Sequence, residues 1–326
     1  MTMAALLLDD PQPYEHQSVL LAEVLSIFRD CRSGTIVDAT VGAGGHSEGL
    51  LIDNPRVKII GSDRDANALD VAGRRLAPFG DRVALVKAEF WQLRERLREL
   101  GLAQVSGLLA DLGVSSLQLD HPDRGMSFRS EGPIDMRMDQ DGGETAVQLI
   151  TRLRQDELAD LIYEFGEERA SRRIARCIKQ AQIRGHLRTT LDLRRAVIAA
   201  VGPRRVGGLD PATRTFQALR IAVNAELHQL DTLLDLAGDL VAPGGTVAII
   251  SFHSLEDRRV KRAFGDRSRW QPLTKKPLTA SLEEHTHNPR SRSAKLRAAR
   301  RLEAPTLTEP PEEQTGPIFS KGWEGR

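Results

Sequence analysis

The sequence predicts an α/β protein in which a doubly wound, mostly parallel sheet is interrupted by an all-helical insertion. Three observations support this fold class. A glycine-rich turn follows the first apolar run, acids stand where successive apolar runs end, and a stretch of helical periodicity separates the fourth run from the fifth. Strands and helices that alternate in this way favour parallel pairing, with crossover helices on the faces of the sheet.

The first predicted strand and its turn cover residues 35–47. The run T-I-V is followed by D-A-T-V-G-A-G-G-H, and the residues from Ser47 onward can begin a helix. Gly42, Gly44 and Gly45 let the backbone approach a ligand where any Cβ would clash, which is typical of a nucleotide-type cofactor turn. Ser47 stands where the dinucleotide fingerprint requires a third glycine, whereas Asp38 before the turn suits the cationic S-adenosylmethionine. A tight strand-to-helix connection without a ligand is the alternative.

Polar or aromatic residues follow the next three predicted strands. The runs over residues 57–62, 83–86 and 107–110 lead to Asp63, Phe90 and Asp111. Because the carboxyl ends of parallel strands share one edge of the sheet, and open α/β sheets bind ligands there, these side chains predict a site.

Asp63 is placed to accept hydrogen bonds from a ribose diol. Asp63 or Asp65 can instead cap the amphipathic helix that is predicted over residues 66–76. The two acids can also divide these roles.

After Asp111 the chain leaves the sheet. Residues 112–143 are rich in Gly, Ser, Pro and Asp and predict a long loop at the ligand edge, of the kind that forms lids or binds substrates. Helical periodicity follows over residues 145–201, and the sheet pattern resumes with a helix over 227–240 and a fifth strand over 246–250.

The domain organisation follows from this order. We expect a sheet domain in two parts, residues 14–114 and 216–301, around a loop and helical insertion at residues 115–215 that recognises the substrate. Residues 302–326 are rich in Pro, Glu and Thr and are predicted to be disordered.

Length and composition favour a large soluble enzyme over a small binding module. With 326 residues and 40% hydrophobic content, the chain can bury one substantial core and a smaller second one. No apolar run approaches the length that spans a bilayer, and the first ten residues lack the basic region of a secretion signal. Cys31 and Cys177 are too few for a disulfide framework or a zinc site, so we expect a cytoplasmic protein with reduced thiols and no protein-held metal.

The net charge of +1 conceals two basic segments. Residues 169–205 hold eleven Lys or Arg and one acid, and residues 258–301 hold fourteen Lys or Arg and three acids. Such segregation predicts a partner with a phosphate backbone. Solvated helix faces are the alternative interpretation.

Six sequence blocks together resemble one enzyme family. They are E-H-Q-S-V-L-L (residues 15–21), D-A-T-V-G-A-G-G-H-S (38–47), D-L-G-V-S-S-L-Q-L-D (111–120), R-G-M-S-F (124–128), G-P-I-D-M-R-M (132–138) and S-F-H-S-L-E-D-R-R-V-K (251–261). Over residues 14–301 the chain resembles the ribosomal RNA small-subunit methyltransferase H family.

This resemblance implies a class I, Rossmann-like methyltransferase fold with a helical insertion. It also implies transfer of a methyl group from S-adenosylmethionine to the exocyclic N4 of a cytidine in the decoding region of 16S rRNA, at position 1402 by family convention. The implied partner is 16S rRNA within the small ribosomal subunit. Whether the enzyme acts as a monomer or a homodimer stays open.

Position by position, the resemblance assigns seven cofactor contacts, to Gly44, Gly45, His46, Asp63, Phe90, Asp111 and Gln118. Asp63 is expected to hold the ribose hydroxyls, Phe90 to lie against the adenine, and the amides of residues 44–46 to approach the methionine end. The resemblance supplies His46 and Gln118, which spacing alone does not single out.

Asp111 is also the candidate catalytic residue. A cytosine amine is a poor nucleophile because its lone pair is delocalised into the ring, so a carboxylate or loop carbonyls that accept its N–H groups would help to orient it. Other amino-methylating enzymes carry an acid-Pro-Pro-aromatic motif at this strand end, whereas this chain has Asp111-Leu112-Gly113-Val114. That departure leaves open how the target base is held.

Five residues are expected to bind the RNA. Phe252 and His253 at the end of the fifth strand, and Phe128 in the long loop, are candidates to hold a base that has left its stack. Arg258 and Arg259 are candidates to bind phosphates. Core packing is the alternative role of Phe252.

Two other functions fit parts of the sequence. A non-catalytic ribosome-assembly factor would use the fold only to bind RNA. A nicotinamide-dependent oxidoreductase would use the same sheet and strand-end acid, but the chain lacks the third glycine and an obvious hydride-transfer site.

Overall fold

The computed structural model describes residues 18–203 and 209–303, and within them the chain forms one seven-stranded sheet. The strands are β1 (Gly34–Asp38), β2 (Val57–Asp63), β3 (Val83–Lys87), β4 (Val105–Asp111), β5 (Val241–Ser251), β6 (Trp270–Pro272) and β7 (Lys295–Arg301). Their order across the sheet is β3-β2-β1-β4-β5-β7-β6. β1 to β5 pair in parallel, whereas β7 runs antiparallel to both β5 and β6. This arrangement confirms the predicted fold class.

Helices alternate with the strands and cover both faces of the sheet. In the described residues they are α1 (Leu21–Phe28), α2 (Gly45–Asp53), α3 (Ala66–Leu76), α4 (Leu93–Glu99), α5 (Ser116–Asp120), α6 (Ala146–Arg152), α7 (Gln155–Gly166), α8 (Ser171–Ile183), α9 (Thr190–Val201), α10 (Thr213–Val223), α11 (Glu226–Leu240), α12 (Ser254–Ala263) and α13 (Leu282–His287). α1, α2 and α3 contribute to the core on one face of the sheet, and α4, α11 and α12 contribute to the core on the other.

The central strands are buried on both faces, which explains their continuous apolar sequences. On β1, Ile36 belongs to the core on the side of α1 to α3, and Val37 belongs to the core on the opposite side. On β4, Leu109 and Leu108 divide in the same way, because successive side chains of a strand point to opposite faces. The predicted strands therefore lie at the centre of the sheet.

Two strands at the edge of the sheet were missing from the sequence prediction. β7 has the basic sequence K-L-R-A-A-R-R, yet it buries Leu296, Ala298 and Ala299. Its Arg297 is 9% exposed and donates a 2.7 Å hydrogen bond to Asp257 on α12. Part of the second basic segment therefore stabilises the fold. The strand was not predicted because its sequence is rich in arginine, although the Arg297 side chain packs inside the protein.

The insertion packs around its own apolar core. Buried side chains of α6 to α10 form this core, together with Ile134, Met136 and Met138 from the preceding loop. The predicted boundary between residues 215 and 216 falls inside α10, whose Phe216 and Leu219 also belong to this core. We propose that the insertion continues to the end of α10 and that the sheet domain resumes at α11.

Some expectations lie outside the described residues. These are the predicted domain start at residue 14, the basic residues Arg204 and Arg205, and the predicted disordered tail from residue 304 onward. Among the described helices, none is both long and apolar enough to cross a membrane.

Candidate active site

Asp38 holds the glycine turn that follows β1. One Asp38 oxygen accepts a hydrogen bond from Ser47 Oγ at 2.7 Å, and the other accepts one from Thr40 N at 3.3 Å. Burial raises the pKa of Asp38 to about 6, although both hydrogen bonds oppose that shift. Asp38 therefore closes the turn onto the start of α2, which differs from the expectation that it faces a cationic ligand.

The turn leaves a cradle of bare backbone at the N-terminus of α2. Gly42 and Gly44 have φ angles of 51° and 82°, which few other residues adopt. A Cβ on Gly45 would lie 2.1 Å from Ser18 Oγ, so a larger residue there would have to displace the serine. Gly45 is therefore required by its contact with Ser18, and the amides that begin α2 lie at the positive end of the helix dipole.

Asp63 joins the end of β2 to this turn. Its Oδ2 accepts a hydrogen bond from Gly42 N, and its Oδ1 accepts one from Asp65 N, both at 2.9 Å. Burial raises the pKa of Asp63 to about 6 against the effect of these donors. Each carboxylate oxygen can accept a further hydrogen bond, so two ribose hydroxyls are compatible with this geometry. Asp65 takes the capping role, since it accepts from Asn67 N at the start of α3.

Asp111 at the end of β4 has a buried oxygen without a partner. Among the residues that the structure describes, no group hydrogen-bonds to Asp111 Oδ1. Burial raises the pKa of Asp111 to about 7; His46 opposes this shift, and Asp38 and Glu256 add to it. A buried oxygen that lacks a donor is unfavourable, so Oδ1 is positioned to accept a donor from a ligand.

His46 lies beside Asp111, and its hydrogen bond fixes its tautomer. His46 Nε2 is 2.9 Å from Val19 O and must donate to it, because a carbonyl oxygen only accepts. In the neutral imidazole, Nδ1 is then unprotonated, and it lies 3.8 Å from Asp111 Oδ2. His46 and Asp111 thus place an acceptor nitrogen and a carboxyl group side by side at the strand edge.

The side chains of Phe90 and Gln118 differ in the contacts that they make within the protein. Phe90 is half-buried, begins a short helical turn after β3 and packs against the core of the sheet. Gln118 is 4% exposed; its Nε2 donates to Asp65 Oδ2 at 2.9 Å, and its Oε1 accepts from Ser115 N at 3.2 Å. The Gln118 amide is therefore already hydrogen-bonded within the protein.

A buried ion pair fixes the loop of residues 112–143 to the edge of the sheet. Arg124 Nη2 lies 2.9 Å from Asp65 Oδ2, and both side chains are 5% exposed. The same nitrogen donates to Met138 O at 2.6 Å, and Lys87 at the end of β3 pairs with Asp141 at 2.5 Å. The loop is thus tied to the ends of β2 and β3. One sequence could not reveal this pairing, because no spacing rule connects Arg124 with Asp65.

A buried charge network fixes the end of β5. Glu256 Oε2 accepts hydrogen bonds from Phe252 N at 2.8 Å and His253 N at 3.3 Å, and its Oε1 lies 3.2 Å from His253 Nε2. Burial alone would raise the pKa of Glu256, but His253, Phe252 N and Arg220 together hold it below its ordinary value. Arg220 on α10 also donates hydrogen bonds of 2.7 and 2.8 Å to Glu226 on α11. This network links the insertion to the β5 end.

Three members of this network come close enough to share a metal ion: Glu226, His253 and Glu256. Arg220 already pairs with Glu226, and its guanidinium repels a cation at the same place. We therefore assign the cluster a positioning role.

The three aromatic candidates for the target base lie in different surroundings. Phe252 borders the loop that begins after Asp111, since one carbon of its ring lies 3.4 Å from where a Cβ of Gly113 would stand, and its ring also packs against the core of the sheet. His253 follows directly and caps α12. Phe128 instead packs edge-on against Phe216 in the insertion, with ring centroids 4.9 Å apart. The structure thus brings Phe252 and His253, but not the Phe128 ring, to the strand edge that holds Asp111.

The two arginines expected to bind phosphates are both paired with acids. Arg258 lies 3.1 Å from Glu167, and Arg259 lies 3.2 Å from Asp231. Both pairs are partly exposed, so a phosphate can compete for either guanidinium at small cost.

Comparison with known proteins bears on this site. A sequence model described as the MraW methylase family matches residues 13–302. A protein from Sorangium cellulosum named "Ribosomal RNA small subunit methyltransferase H" is 62% identical over 292 residues, which cover 90% of this chain and 92% of that protein. A protein of the same name from Synechococcus sp. (strain CC9605) is 52% identical over 90% of this chain and 99% of that protein.

Among solved structures, an rRNA methylase from Streptococcus thermophilus matches with a TM-score of 0.40 at 13% identity, covering 87% of this chain and 93% of that chain. That likeness is too weak to bear on function. The sequence matches confirm the predicted class of enzyme, a methyltransferase that uses S-adenosylmethionine, and leave the nicotinamide alternative without support. Since the matched segment contains both parts of the sheet domain and the whole insertion, the chain belongs to the MraW methylase family.

Proposed function

We propose that this protein transfers a methyl group from S-adenosylmethionine to the exocyclic N4 of a cytidine in small-subunit ribosomal RNA, at position 1402 by family convention. The observation that carries the proposal is the 62% identity across 92% of a relative named for small-subunit ribosomal RNA methylation. The proposal includes a cytoplasmic setting and a substrate within the small ribosomal subunit.

The residues of the glycine cradle fit the methyl donor. Its amides at residues 45 and 46 suit the methionine carboxylate, because the N-terminus of α2 favours negative charge, whereas Gly44 N already donates to Val41 O at 2.7 Å. The Asp63 oxygens retain lone pairs for the ribose, and Phe90 offers an aromatic face for the adenine. When bound, S-adenosylmethionine supplies an electrophilic methyl group at this edge. Gln118 contributes indirectly, since its amide supports Asp65 beneath the β2 end.

Asp111 has the position and the chemistry to handle the cytosine amine. Its buried Oδ1 lacks a donor, and an N–H of the amine would supply one. That hydrogen bond orients the nitrogen lone pair toward the methyl carbon. Methyl transfer leaves one excess proton on the amine, and a carboxyl group with a pKa of about 7 can accept it near neutral pH. His46, whose Nδ1 lies 3.8 Å from Asp111 Oδ2, favours the ionised form of Asp111 that accepts this proton.

The target base needs a surface to lie against after it leaves its stack. Phe252 provides that surface, because its half-buried ring borders Gly113, two residues after Asp111. Glu256 holds the backbone of Phe252 and His253 in place through two hydrogen bonds. We propose no base contact for Phe128, whose ring packs in the insertion.

The deciding experiment incubates the protein with tritiated S-adenosylmethionine and small subunits that lack the modification. Digestion of the 16S rRNA and identification of N4-methylcytidine would support the proposal. S-adenosylmethionine binding without any label transfer to RNA would favour the non-catalytic assembly factor instead.

A further inference from the structure

A row of arginines faces solvent along helix α8 of the insertion. α8 buries Ser171, Ile174, Ala175 and Ile178 on one side. On the other side, Arg173 and Arg176 lie on successive turns, exposed Gln180 and the C-capping Arg184 follow at the same spacing, and Arg169 lies in the turn just before the helix. We call these four arginines the α8 arginine row. From Arg173 to Arg184 it extends roughly 17 Å, at 1.5 Å per residue.

The α8 arginine row is unpaired. All four side chains are exposed, and none forms an ion pair with a residue in the described parts of the chain. Neighbouring arginines differ: Arg195 lies 2.7 Å from Asp192, and Arg172 lies 3.6 Å from Asp160. Like charges at this helical spacing repel one another, and a polyanion bound along the row would relieve that repulsion.

An aromatic ring stands at the first end of the row. A shallow hollow of about 590 Å³ between α7 and α8 is lined by Tyr163, by the arginines 169, 172 and 173, and by the acids Asp160 and Glu168. The Tyr163 residue is 62% exposed, although its ring is large and apolar. An exposed ring beside guanidinium groups can stack on an unpaired base while the cations bind the adjoining phosphates.

The same end of the row lies next to the candidate active site. Glu167, two residues before Arg169, accepts a hydrogen bond from Ser254 Oγ and pairs with Arg258 at 3.1 Å. Ser254 begins α12 directly after Phe252 and His253. An RNA strand that places one base at Phe252 therefore reaches the row through its adjoining nucleotides.

We propose that the α8 arginine row and Tyr163 form a track that binds the RNA strand next to the substrate nucleotide, without reading its sequence. The proposal rests on the proposed methylation of RNA and adds the surface that holds the strand. It predicts that each guanidinium displaces counterions from one phosphate, which makes binding depend steeply on salt.

The test compares two double variants of the full chain, with a transcribed decoding-region RNA hairpin as the probe. Arg173→Gln/Arg176→Gln removes two charges from the row. Arg74→Gln/Arg98→Gln removes two exposed charges from α3 and α4 that have no ion pair within residues 18–203 and 209–303, and it serves as the matched control. Affinity for the hairpin is measured from 50 to 300 mM salt.

The row variant is expected to lower the slope of log affinity against log salt by about 1.4 to 1.8, from roughly 0.7 to 0.9 for each lost phosphate contact. The control variant should keep the slope of the unmodified protein. Equal slopes for the row variant and the unmodified protein, or equal losses in both variants, would overturn the proposal and leave the row as a solvated helix face.

Tyr163 has its own pair of variants. Tyr163→Ala should weaken binding about tenfold at any salt concentration, whereas Tyr163→Phe, which keeps the ring, should stay within about twofold of the unmodified protein. Equal affinity of the alanine variant and the unmodified protein would remove Tyr163 from the track.

Methyl transfer separates this proposal from the proposed function. The row variant should raise KM for RNA and keep kcat at saturating RNA, with an unchanged thermal shift on addition of S-adenosylmethionine. If the protein transfers no methyl group but the row variant shows the predicted change of slope, the track is supported and the proposed activity is overturned. If both double variants methylate RNA with the same KM, the proposed activity is supported and the track is overturned.

Discussion

Replacing Arg124 by methionine tests the link between the loop of residues 112–143 and the sheet. Arg124→Met keeps much of the side-chain volume but leaves Asp65 without its cation at 2.9 Å, in surroundings where both groups are 5% exposed. At an effective dielectric constant of about 20, attraction at that distance is roughly 6 kcal/mol before the desolvation of both groups is counted. Loss of one partner from a buried pair typically costs about 3–5 kcal/mol.

The lower end of that range applies here. Asp65 keeps hydrogen bonds from Gln118 Nε2 at 2.9 Å and from Asn67 N at 3.1 Å after Arg124 is removed. We therefore expect a loss of about 3 kcal/mol. The loss should concentrate in the loop, which also loses the hydrogen bond to Met138 O.

The assay combines urea unfolding with amide hydrogen exchange of residues 112–143. The double variant Arg124→Met/Asp65→Asn removes both charges and keeps the acceptor that caps α3, but its amide nitrogen faces Gln118 Nε2, so it should recover only part of the lost stability. A loss below about 0.5 kcal/mol in Arg124→Met, with loop exchange unchanged, would refute the view that this ion pair fixes the loop.

Three further predictions concern the strand edge. Burial raises the pKa of Asp111 from 3.8 to about 7, so the folded protein binds that proton more tightly than the unfolded chain and loses stability as the pH rises between these values. Asp111→Asn should therefore stabilise the ligand-free protein at pH 8 by roughly 2–4 kcal/mol and have little effect at pH 4. Equal melting-temperature shifts at pH 4 and pH 8 would contradict this prediction. Gly45→Ala should weaken S-adenosylmethionine binding at least tenfold and destabilise the fold by about 1–3 kcal/mol, because the new Cβ would lie 2.1 Å from Ser18 Oγ. Ser18→Gly in the same chain should recover most of the stability in thermal melts. No recovery would show that the clash with Ser18 is not the cause of the loss. Glu256→Gln should lower kcat more than it raises KM for S-adenosylmethionine, because it weakens the network that positions Phe252 and His253; an unchanged kcat in steady-state assays would remove that network from the mechanism.

Much of the sheet was predictable because its central strands are buried on both faces. Burial on both faces demands adjacent apolar residues, as at residues 36–37 of β1, 59–60 of β2 and 108–110 of β4, and such short runs are visible in one sequence. Helix α3 was predicted with its observed bounds, because its capping Asp65 and amphipathic pattern agree. β7 escaped prediction because its arginines find partners inside the fold, including Asp257 and the Trp270 ring, and such partners are distant in sequence.

The sequence predicted only those site residues whose position follows from the order of the strands in the sheet. Acids at the ends of parallel strands must meet at one edge, so Asp63 and Asp111 could be expected there. What each carboxylate does depends on contacts that spacing does not encode. Asp38 closes its own turn, and Phe128 packs on Phe216 across 88 positions of sequence. Arg124 and Glu256 went unassigned because their roles arise from burial beside distant partners.

The role of Asp111 in methyl transfer is tested by comparing the unmodified protein with Asp111→Asn on 16S rRNA, at saturating S-adenosylmethionine. We expect N4-methylcytidine as the product of the unmodified protein, with a rate that rises with pH through about 7. We also expect a rate at least about a hundredfold lower for Asp111→Asn, at a cofactor affinity within tenfold of the unmodified protein. Equal rates for the two proteins, or methylation at another atom of the base, would contradict the account.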